Sequence, residues 1–589
     1  MNHSDNTQLQ APKDFDKEKI MSVLEHRHDE GNEFRGPDDT YAEAVSAWRE
    51  KVGNALTPIG LGDHGDHGDT GEPLSPLYTS LDVNYDESLD IGIPGEPPFV
   101  RGAYPSGYVK RPWLMVQYVG FGTVAETNKR WKSLIAAGQR AVSLAFDLPS
   151  HLGYDSDHPL AEDECGRAGT AIDSLADFED LFDGVDLTKT PATFNTAAIA
   201  PIITAMYRVV GERHGVPPDQ LMGTITNDAL SAAFRGTSVF PCDAGERLVV
   251  DVIEYCAREM PRFTPINVQG VYMRSVGATK AQEAGYAIAY ALKYLTDAVD
   301  RGLDVEQVAP RFSFFFQCDS HFFEEAAKFR AARRVWSELV YERFGTTDKA
   351  SRILRATGVS AARCFTKEEP EINLVRGAYS ALGCALGGVQ GMWISGFDEA
   401  FATPTEKASR LALRTMQILA EETGIRATVD PLGGGWFTEH LTKMYAEQIR
   451  HHVLEVEEHG GAVDATQSGY LRRQMIENDL RWTEQSETGA RRIVAMNFFR
   501  SDDEIDESEI EFQDFRPEVL SEQLARIAAV KSRRDEAFVR KTLAAVHEAA
   551  SHGENVMPAV VDAVRAYSTV GEIMDELRDV FGEWTEAAL

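Results

Sequence analysis

The feature that most constrains this chain is a repeated alternation of short apolar strands with amphipathic helices. The clearest unit spans residues 265–344. In it, the strand Ile266–Gln269 precedes a helix whose apolar residues recur every three or four positions, and Gly302 ends that helix. The aromatic run at 312–316 is typical of a buried parallel strand. The same pattern predicts eight strands, which begin near Trp113, Val142, Pro191, Met222, Ile266, Phe312, Ile353 and Val389.

Strands that alternate with helices over residues 113–424 predict an α/β fold in which a parallel sheet closes as a (β/α)8 TIM barrel. An open, doubly wound sheet is the alternative. Such sheets usually carry a glycine-rich phosphate turn after the first strand, and this sequence has none there. Several predicted strands carry polar residues where a packed barrel interior would have Val or Leu. We therefore expect the interior to hold a ligand.

The remaining sequence predicts further segments on both sides of the barrel. The C-terminal helices have too little apolar surface to form a core alone, so they should pack on the barrel or on another subunit. The predicted segments are an extended N-terminal arm at 1–95, the barrel at 96–430, a helical extension at 431–500, an acidic linker at 501–516 and a C-terminal helical segment at 517–589.

Composition limits the classes of partner. The chain has 93 Asp and Glu against 59 Lys and Arg, a formal net charge of -34, and such a surface repels nucleic acid and anionic membranes. The six cysteines show no zinc or CxxC spacing, and no stretch approaches the roughly 20 apolar residues of a membrane span. Without an apolar signal segment at its N-terminus, the protein is expected to be cytoplasmic, with reduced thiols.

A repeat of His and Asp at residues 62–69 is a weak candidate for metal binding. No rigid element fixes these side chains, so a flexible solvated loop is the favoured interpretation and no metal site is predicted. A basic cluster at Arg101, Lys110 and Arg111 precedes the first strand. It could be a surface turn or a phosphate clamp, since Arg contacts phosphate through two hydrogen bonds, and the residues alone favour neither interpretation.

Polar side chains recur where the predicted strands end, which is where barrels of this class hold their sites. Asp147 is more typical of a helix cap than of a catalytic group, and His321 could be a cap or a base. No nucleophile elbow, Walker loop or HExxH motif is present. The residues therefore predict a barrel that binds a ligand, and they do not indicate a reaction. The strand-end set is Tyr118, Asp147, Asn195, Thr226, Asn227, Tyr272, Cys318, Asp319, His321, Thr357, Trp393 and Ser395.

Several motifs resemble the methylmalonyl-CoA mutase family, from about residue 90 to the end. Members use adenosylcobalamin to interconvert branched and linear acyl-CoA thioesters by a radical 1,2-shift. The resemblance implies that CoA passes along the barrel axis, and it favours the phosphate clamp at Arg101 and Arg111. The motifs lie at residues 101–113, 117–121, 144–149, 153–159, 223–228, 309–315 and 430–434, followed by 531–535 and 569–572.

The resemblance also implies a set of site residues. The positions that match CoA or substrate contacts are Tyr104, Ser106, Arg111, Ser143, Thr224, Arg311, Ser313 and Thr357. The positions that match catalytic residues are Tyr118, Thr226, Arg235 and Tyr272, of which Arg235 aligns only across a gap. The positions that match cofactor contacts are Gln390 and Glu399, the latter near the adenosyl ribose.

The chain departs from the family at several of these positions. Tyr272 replaces a His that hydrogen-bonds the thioester carbonyl, Thr226 replaces a Gln, Thr357 replaces another His, and the pattern around residues 393–395 is lost. A tyrosine hydroxyl can donate the same hydrogen bond as an imidazole, but it does not titrate near neutral pH. The departures imply either an unusual substrate or a loss of catalysis.

The family's cobalt-ligating Asp-x-His-x-x-Gly motif is absent, because the nearest string, at 319–324, lacks the glycine. The resemblance therefore implies no cobalamin-binding domain in this chain. It implies the large subunit of a split mutase, of the isobutyryl-CoA or 2-hydroxyisobutyryl-CoA type. A small cobalamin-binding subunit with that motif would supply adenosylcobalamin, in an α2β2 heterotetramer.

Two other functions remain open. One is a non-catalytic mutase-like subunit that binds acyl-CoA or supports assembly. The other is a cobalamin-independent barrel lyase on CoA thioesters, which needs its own base, either Tyr272 or His321.

Overall fold

Parallel strands form the centre of the fold and close on themselves as a barrel. The fold is that of a computed structural model, which describes residues 39–53, 74–401, 403–501 and 516–587. Within these residues the barrel strands are β1 Leu114–Met115, β2 Val142–Leu144, β3 Ala192–Phe194, β4 Gly223–Ile225, β5 in two parts Phe263–Thr264 and Ile266–Gln269, β6 Phe312–Cys318, β7 Arg355–Ser360 and β8 Gly391–Trp393.

From β2 to β8 each strand pairs in parallel with the next one along the chain, with the first part of β5 on β4 and the second part on β6, and β8 pairs with β1. Pro265 separates the two parts of β5, where proline cannot donate to a ladder. Val119, just after β1, bridges Leu144 of β2 and completes the ring. The predicted (β/α)8 barrel is confirmed, and the open sheet is wrong.

Helices surround the barrel and continue beyond it. In the described residues they are α1 Asp39–Gly53, α2 Val124–Ala136, α3 Leu148–Leu152, α4 Leu175–Leu181, α5 Ala200–Arg213, α6 Ala229–Arg235, α7 Cys242–Glu259, α8 Gly270–Ser275, α9 Lys280–Asp300, α10 Val305–Val308, α11 Phe322–Phe344, α12 Asn373–Leu386, α13 Glu406–Glu421, α14 Trp436–Glu458, α15 Gly461–Gln467, α16 Tyr470–Glu487, α17 Glu518–Arg533, α18 Glu536–His552, α19 Met557–Arg565 and α20 Val570–Phe581. None of them is long and apolar enough to cross a membrane.

Local signals account for the ends of α9, the helix predicted after the fifth strand. Thr279 accepts a hydrogen bond from the backbone N–H of Gln282, and the Gln282 side chain accepts from the backbone of Thr279 in return. This capping box satisfies two of the amides that a helix start leaves unpaired. Gly302 follows the helix with φ +87°, a conformation that favours glycine.

The helices after the barrel are more broken than the sequence pattern predicts. The helical extension predicted at 431–500 contains the three helices α14 to α16, and Gly469, with φ +71°, separates α15 from α16. The C-terminal helical segment predicted at 517–589 contains the four helices α17 to α20. The His and Asp repeat at 62–69 lies outside the described residues, as does most of the predicted acidic linker.

The C-terminal helices pack on the barrel through buried carboxylates. Asp155 accepts hydrogen bonds from the Thr569 hydroxyl at 2.6 Å and from the Gly571 amide at 2.7 Å. Gln523 of α17 donates to Asp173 at 2.9 Å. These buried polar groups have defined hydrogen-bond partners across the interface between the barrel and the C-terminal helices. The contacts therefore fix the orientation of these helices on the barrel.

One of these carboxylates predicts a pH dependence of stability. Burial raises the pKa of Asp155 to about 6, above its ordinary value in an unfolded chain of about 3.9. The folded state therefore binds the proton more tightly, and the stability this provides is lost as pH rises from about 4 through 6. We expect wild type to lose about 2 kcal/mol more unfolding free energy than Asp155→Asn between about pH 4.5 and 7.5.

The measurement is denaturant unfolding of both proteins at the two pH values. Asp219→Asn, at an exposed position, is the control and should follow wild type. Equal pH dependence in wild type and Asp155→Asn would contradict the prediction.

Candidate functional site

Two cavities adjoin along the barrel. The first cavity, of about 340 Å³, lies at the amino end of the strands, and residues from the segments 101–114 and 425–431 form much of its lining. The other, of about 210 Å³, lies inside the barrel. Leu114 and Gln390 line both. An elongated ligand can therefore reach the barrel interior from the amino end.

The interior cavity exists because short or polar side chains face it. Barrel interiors of this class are ordinarily filled by Val, Ile and Leu. Here Asn267 donates to the Ser313 hydroxyl at 2.7 Å, and that hydroxyl donates to the backbone oxygen of Ile266 at 3.2 Å. The predicted site residues that line this cavity are Tyr118, Ser143, Thr224, Ser313, Thr357 and Gln390.

The amino-end cavity is rich in arginine. Arg101 is paired with Asp430 at 3.1 Å, and buried Arg333 donates to the backbone carbonyls of Phe99, Val100 and Gly387. Arg111 and Arg140 also line this cavity, and both are exposed. Neither forms an ion pair with any described residue. Two guanidinium groups are thus available to an anion.

The other predicted contacts at this end differ in position. Tyr104 lines the amino-end cavity and accepts a hydrogen bond from Arg355 at 3.2 Å. Ser106 is exposed in the same loop but does not line the cavity. Arg311 lines neither cavity and donates to the backbone oxygen of Cys256 at 3.1 Å. The structure therefore does not bring Ser106 and Arg311 to the ligand path.

At the carboxyl end, the four predicted catalytic residues come together. Arg235, the last residue of α6, donates through Nη1 to the Tyr272 hydroxyl at 3.1 Å. Tyr118 is hydrogen-bonded to Arg235 and to Asn195. Thr226 donates to the Asn195 side chain at 3.0 Å. Loops after β1, β3, β4 and β5 thus meet in one hydrogen-bonded cluster, the Tyr118 cluster.

The charges in the Tyr118 cluster are unbalanced. Desolvation raises the pKa of Tyr118 to about 12, although Arg235 opposes this shift, so the hydroxyl stays protonated. His151 lies 3.2 Å from Arg235 Nη2, and burial together with the Arg235 charge holds the pKa of His151 well below its usual range. All of these neighbours of Arg235 are neutral. Among the described residues Arg235 has no carboxylate partner, and it remains exposed.

Two members of the cluster lay outside the predicted catalytic set. Asn195 was visible in the sequence only as one polar strand end among many. No sequence motif pointed to His151, which belongs to a short helix after β2. Asp147 caps the start of that helix, as predicted. The Asp147 carboxylate accepts from the Ser150 amide at 3.0 Å.

The two predicted cofactor contacts lie at opposite ends of the barrel. Gln390 precedes β8, and its amide group accepts from the Ala356 N–H at 2.8 Å and donates to the Gly388 carbonyl at 2.9 Å. Glu399 follows β8 in the next loop. Burial, with the charge of Asp398, raises the pKa of Glu399 to about 7, against a hydrogen bond to Ser395. Of the two predicted cofactor contacts, only Glu399 therefore lies at the carboxyl end of the barrel.

Comparison with known proteins identifies relatives over most of the chain. The family model described as methylmalonyl-CoA mutase matches residues 67–583. The chain is 38% identical over 516 residues to the 2-hydroxyisobutanoyl-CoA mutase large subunit of Aquincola tertiaricarbonis, which covers 87% of this chain and 92% of that protein. It is 39% identical over 543 residues to a methylmalonyl-CoA mutase of Cereibacter sphaeroides, covering 92% and 76%. For the human mitochondrial methylmalonyl-CoA mutase the values are 38% over 513 residues, covering 87% and 68%.

Proposed function

Because this chain belongs to the methylmalonyl-CoA mutase family, we propose that it is the large subunit of an adenosylcobalamin-dependent acyl-CoA mutase. It would rearrange the carbon skeleton of a short branched acyl-CoA thioester. The observation that carries the proposal is the path from the arginine-lined cavity, through the polar barrel interior, to the Tyr118 cluster. Its polarity suits a CoA thioester, with phosphates at the amino end and the acyl group at the carboxyl end.

At the amino end, Arg111 and Arg140 are proposed to bind CoA phosphates. Arg forms charge-assisted hydrogen bonds to phosphate that are stronger than neutral ones. The hydroxyls of Ser143, Thr224 and Ser313 would then hydrogen-bond the amide groups of the pantetheine arm inside the barrel.

Charge removal at the amino end provides a test of this orientation. We expect Arg111→Ala and Arg140→Ala each to weaken CoA binding about tenfold or more, because a hydrogen bond to a charged group contributes about 1.5–3 kcal/mol. Both losses should shrink as salt is added. Calorimetric titration with CoA measures the change. Arg540→Ala, at an exposed position on α18, is the matched control. Unchanged affinity in both cavity variants would contradict the assignment.

At the carboxyl end, Tyr272 is proposed to donate a hydrogen bond to the thioester oxygen. Arg235 already donates to the Tyr272 oxygen, so the hydroxyl proton of Tyr272 is directed elsewhere and stays available. Tyr118 would contact the acyl group beside it. Since Arg235 has only neutral neighbours, the cluster favours an acyl group that carries negative charge or a strong acceptor.

The loop after β8 is proposed to contact the nucleoside of adenosylcobalamin. Glu399 and Ser395 supply oxygen acceptors, which suit ribose hydroxyls, and they follow the strand at the carboxyl end. Adenosylcobalamin, when bound, would supply the radical chemistry. The chain itself would bind the thioester, orient it and exclude water from it. A small cobalamin-binding subunit with an Asp-x-His-x-x-Gly motif, in an α2β2 assembly, is proposed because the Aquincola relative is named a large subunit.

Reconstitution tests the whole proposal. The purified chain, a small subunit from the same genome and adenosylcobalamin are incubated with a panel of branched and linear acyl-CoAs. We expect one pair to interconvert only when all components are present. Acyl-CoA binding without any isomer would contradict the catalytic proposal and support a non-catalytic subunit. Conversion without the corrinoid would support a lyase instead.

A further inference from the structure

Two histidines and a glutamate of helix α14 come together where this helix packs near α9 and α16. They are His451, His452 and Glu455, and each offers a ligand atom that lies within 4.8 Å of the others. Residues three and four positions apart are neighbours on a helix, so Glu455 adjoins both histidines. His452 Nδ1 lies 2.6 Å from a Glu455 carboxylate oxygen. We propose that these three residues bind a divalent transition-metal cation of the Zn²⁺ class.

The carboxylate is held in place for such a role. The Tyr470 hydroxyl donates to one Glu455 oxygen at 2.7 Å, and the Tyr286 hydroxyl donates to the other at 3.4 Å. The His459 ring stacks on Tyr470 with ring centres 3.7 Å apart. Such outer partners orient a metal-binding carboxylate before the cation arrives.

The ligand types select the cation. Imidazole nitrogen combined with one carboxylate suits Zn²⁺ and neighbouring transition metals, whereas Mg²⁺ and Ca²⁺ require oxygen ligands. With metal–ligand distances of about 2.0–2.2 Å, bound ligand atoms lie about 3.4 Å apart in a tetrahedral site. His452 and Glu455 must therefore separate slightly, and exposed His451 must turn inward. Three protein ligands leave the fourth position to water.

The position of this site indicates what a bound cation would do. Tyr470 begins α16, and Tyr286 belongs to α9, a helix of the barrel layer. A Cβ added at Gly285 would lie 2.6 Å from the His452 Cβ, so α14 packs closely on α9 there. A cation bound to α14 would fix the carboxylate to which α9 and α16 are hydrogen-bonded. None of the three ligands lines either cavity, so the site is independent of acyl-CoA.

The test uses the full chain without a histidine tag, stripped with a chelator. Titration with ZnCl2 should show one saturable site per chain, and MgCl2 should show none. Since binding to the folded state stabilises it, Zn²⁺ should also raise the midpoint of thermal unfolding. His451→Ala, an exposed change that should not disturb folding, is expected to weaken Zn²⁺ binding at least tenfold and to abolish the shift.

Further variants separate a metal site from a hydrogen-bonded pair. Tyr470→Phe should weaken Zn²⁺ binding about tenfold, the usual effect of losing an outer partner. His214→Ala, at an exposed position elsewhere, should bind like wild type. Absence of saturable Zn²⁺ binding by wild type would overturn the proposal, and so would equal affinity in wild type and His451→Ala. Either result would leave His452 and Glu455 as a hydrogen-bonded pair only.

Discussion

Tyr272→Phe is expected to lower the turnover of the reconstituted mutase about 100-fold while KM changes little. The substitution removes one hydroxyl donor and keeps the ring, so substrate binding elsewhere along the path is preserved. Loss of a single donor to the thioester oxygen in the transition state costs on the order of 3 kcal/mol in barrier. Arg235 loses the Tyr272 oxygen as an acceptor but keeps its contacts with Tyr118 and His151. The measurement is kcat and KM for the isomerised thioester.

Two further variants define the interpretation of that result. Tyr272→His places the usual residue of the family at this position and should retain more activity than Tyr272→Phe, because imidazole can also donate. Tyr341→Phe, at an exposed position on α11, should behave like wild type. If Tyr272→Phe keeps the wild-type kcat, the hydroxyl does not act on the thioester and the assignment of Tyr272 fails.

Thr224→Trp is expected to reduce acyl-CoA binding at least 100-fold in a protein that still folds. Thr224 lies on β4 and lines the interior cavity, whose volume is about 210 Å³. An indole there would occupy space that a pantetheine arm needs. Filling a cavity costs less than overpacking a dense core, where added atoms destabilise by about 1–3 kcal/mol. Calorimetric titration with an acyl-CoA gives the affinity, and circular dichroism checks the fold.

A smaller change at the same position is the control for this variant. Thr224→Val removes the hydroxyl and leaves the cavity open, so binding should weaken only several-fold, the loss of one neutral hydrogen bond of about 1 kcal/mol. Wild-type affinity in Thr224→Trp would mean that the ligand does not pass through the barrel. In that case the proposed path, and not only one contact, is wrong.

Much of the fold could be predicted from local patterns. The predicted strand starts at Val142 and Phe312 coincide with the starts of β2 and β6. The helix predicted after the fifth strand is α9. Hydrophobic periodicity reports which face of an element is buried, and it needs only neighbouring residues. The break at Gly469 was missed because a glycine inside an apolar helical pattern is often tolerated.

The site residues were harder to predict because their directions depend on distant neighbours. Arg311 lies within a motif of the family, yet its side chain donates a hydrogen bond to a backbone carbonyl near the end of α7. Gln390 bonds to the backbone of Ala356 on β7 and of Gly388 ahead of β8, at the amino end. Arg235 aligns with the family only across a gap, but it lies against Tyr272, 37 positions away, and His151, 84 positions away. The three ligands of the candidate metal site share one helix and match no recognised spacing of metal ligands. The tyrosines that position Glu455, Tyr286 and Tyr470, come from two other helices.

The sequence by itself determined the class of barrel, its polar interior and its acidic character, because periodicity, residue size and charge are properties of the chain read locally. Only the tertiary structure decided that the ring closes through Val119, that Arg111 and Arg140 remain without ion pairs among the described residues, and that Tyr118, Arg235 and Tyr272 meet. The reason is geometric. Parallel strands bring their carboxyl ends to one rim, so residues far apart in sequence become neighbours only after the barrel has closed.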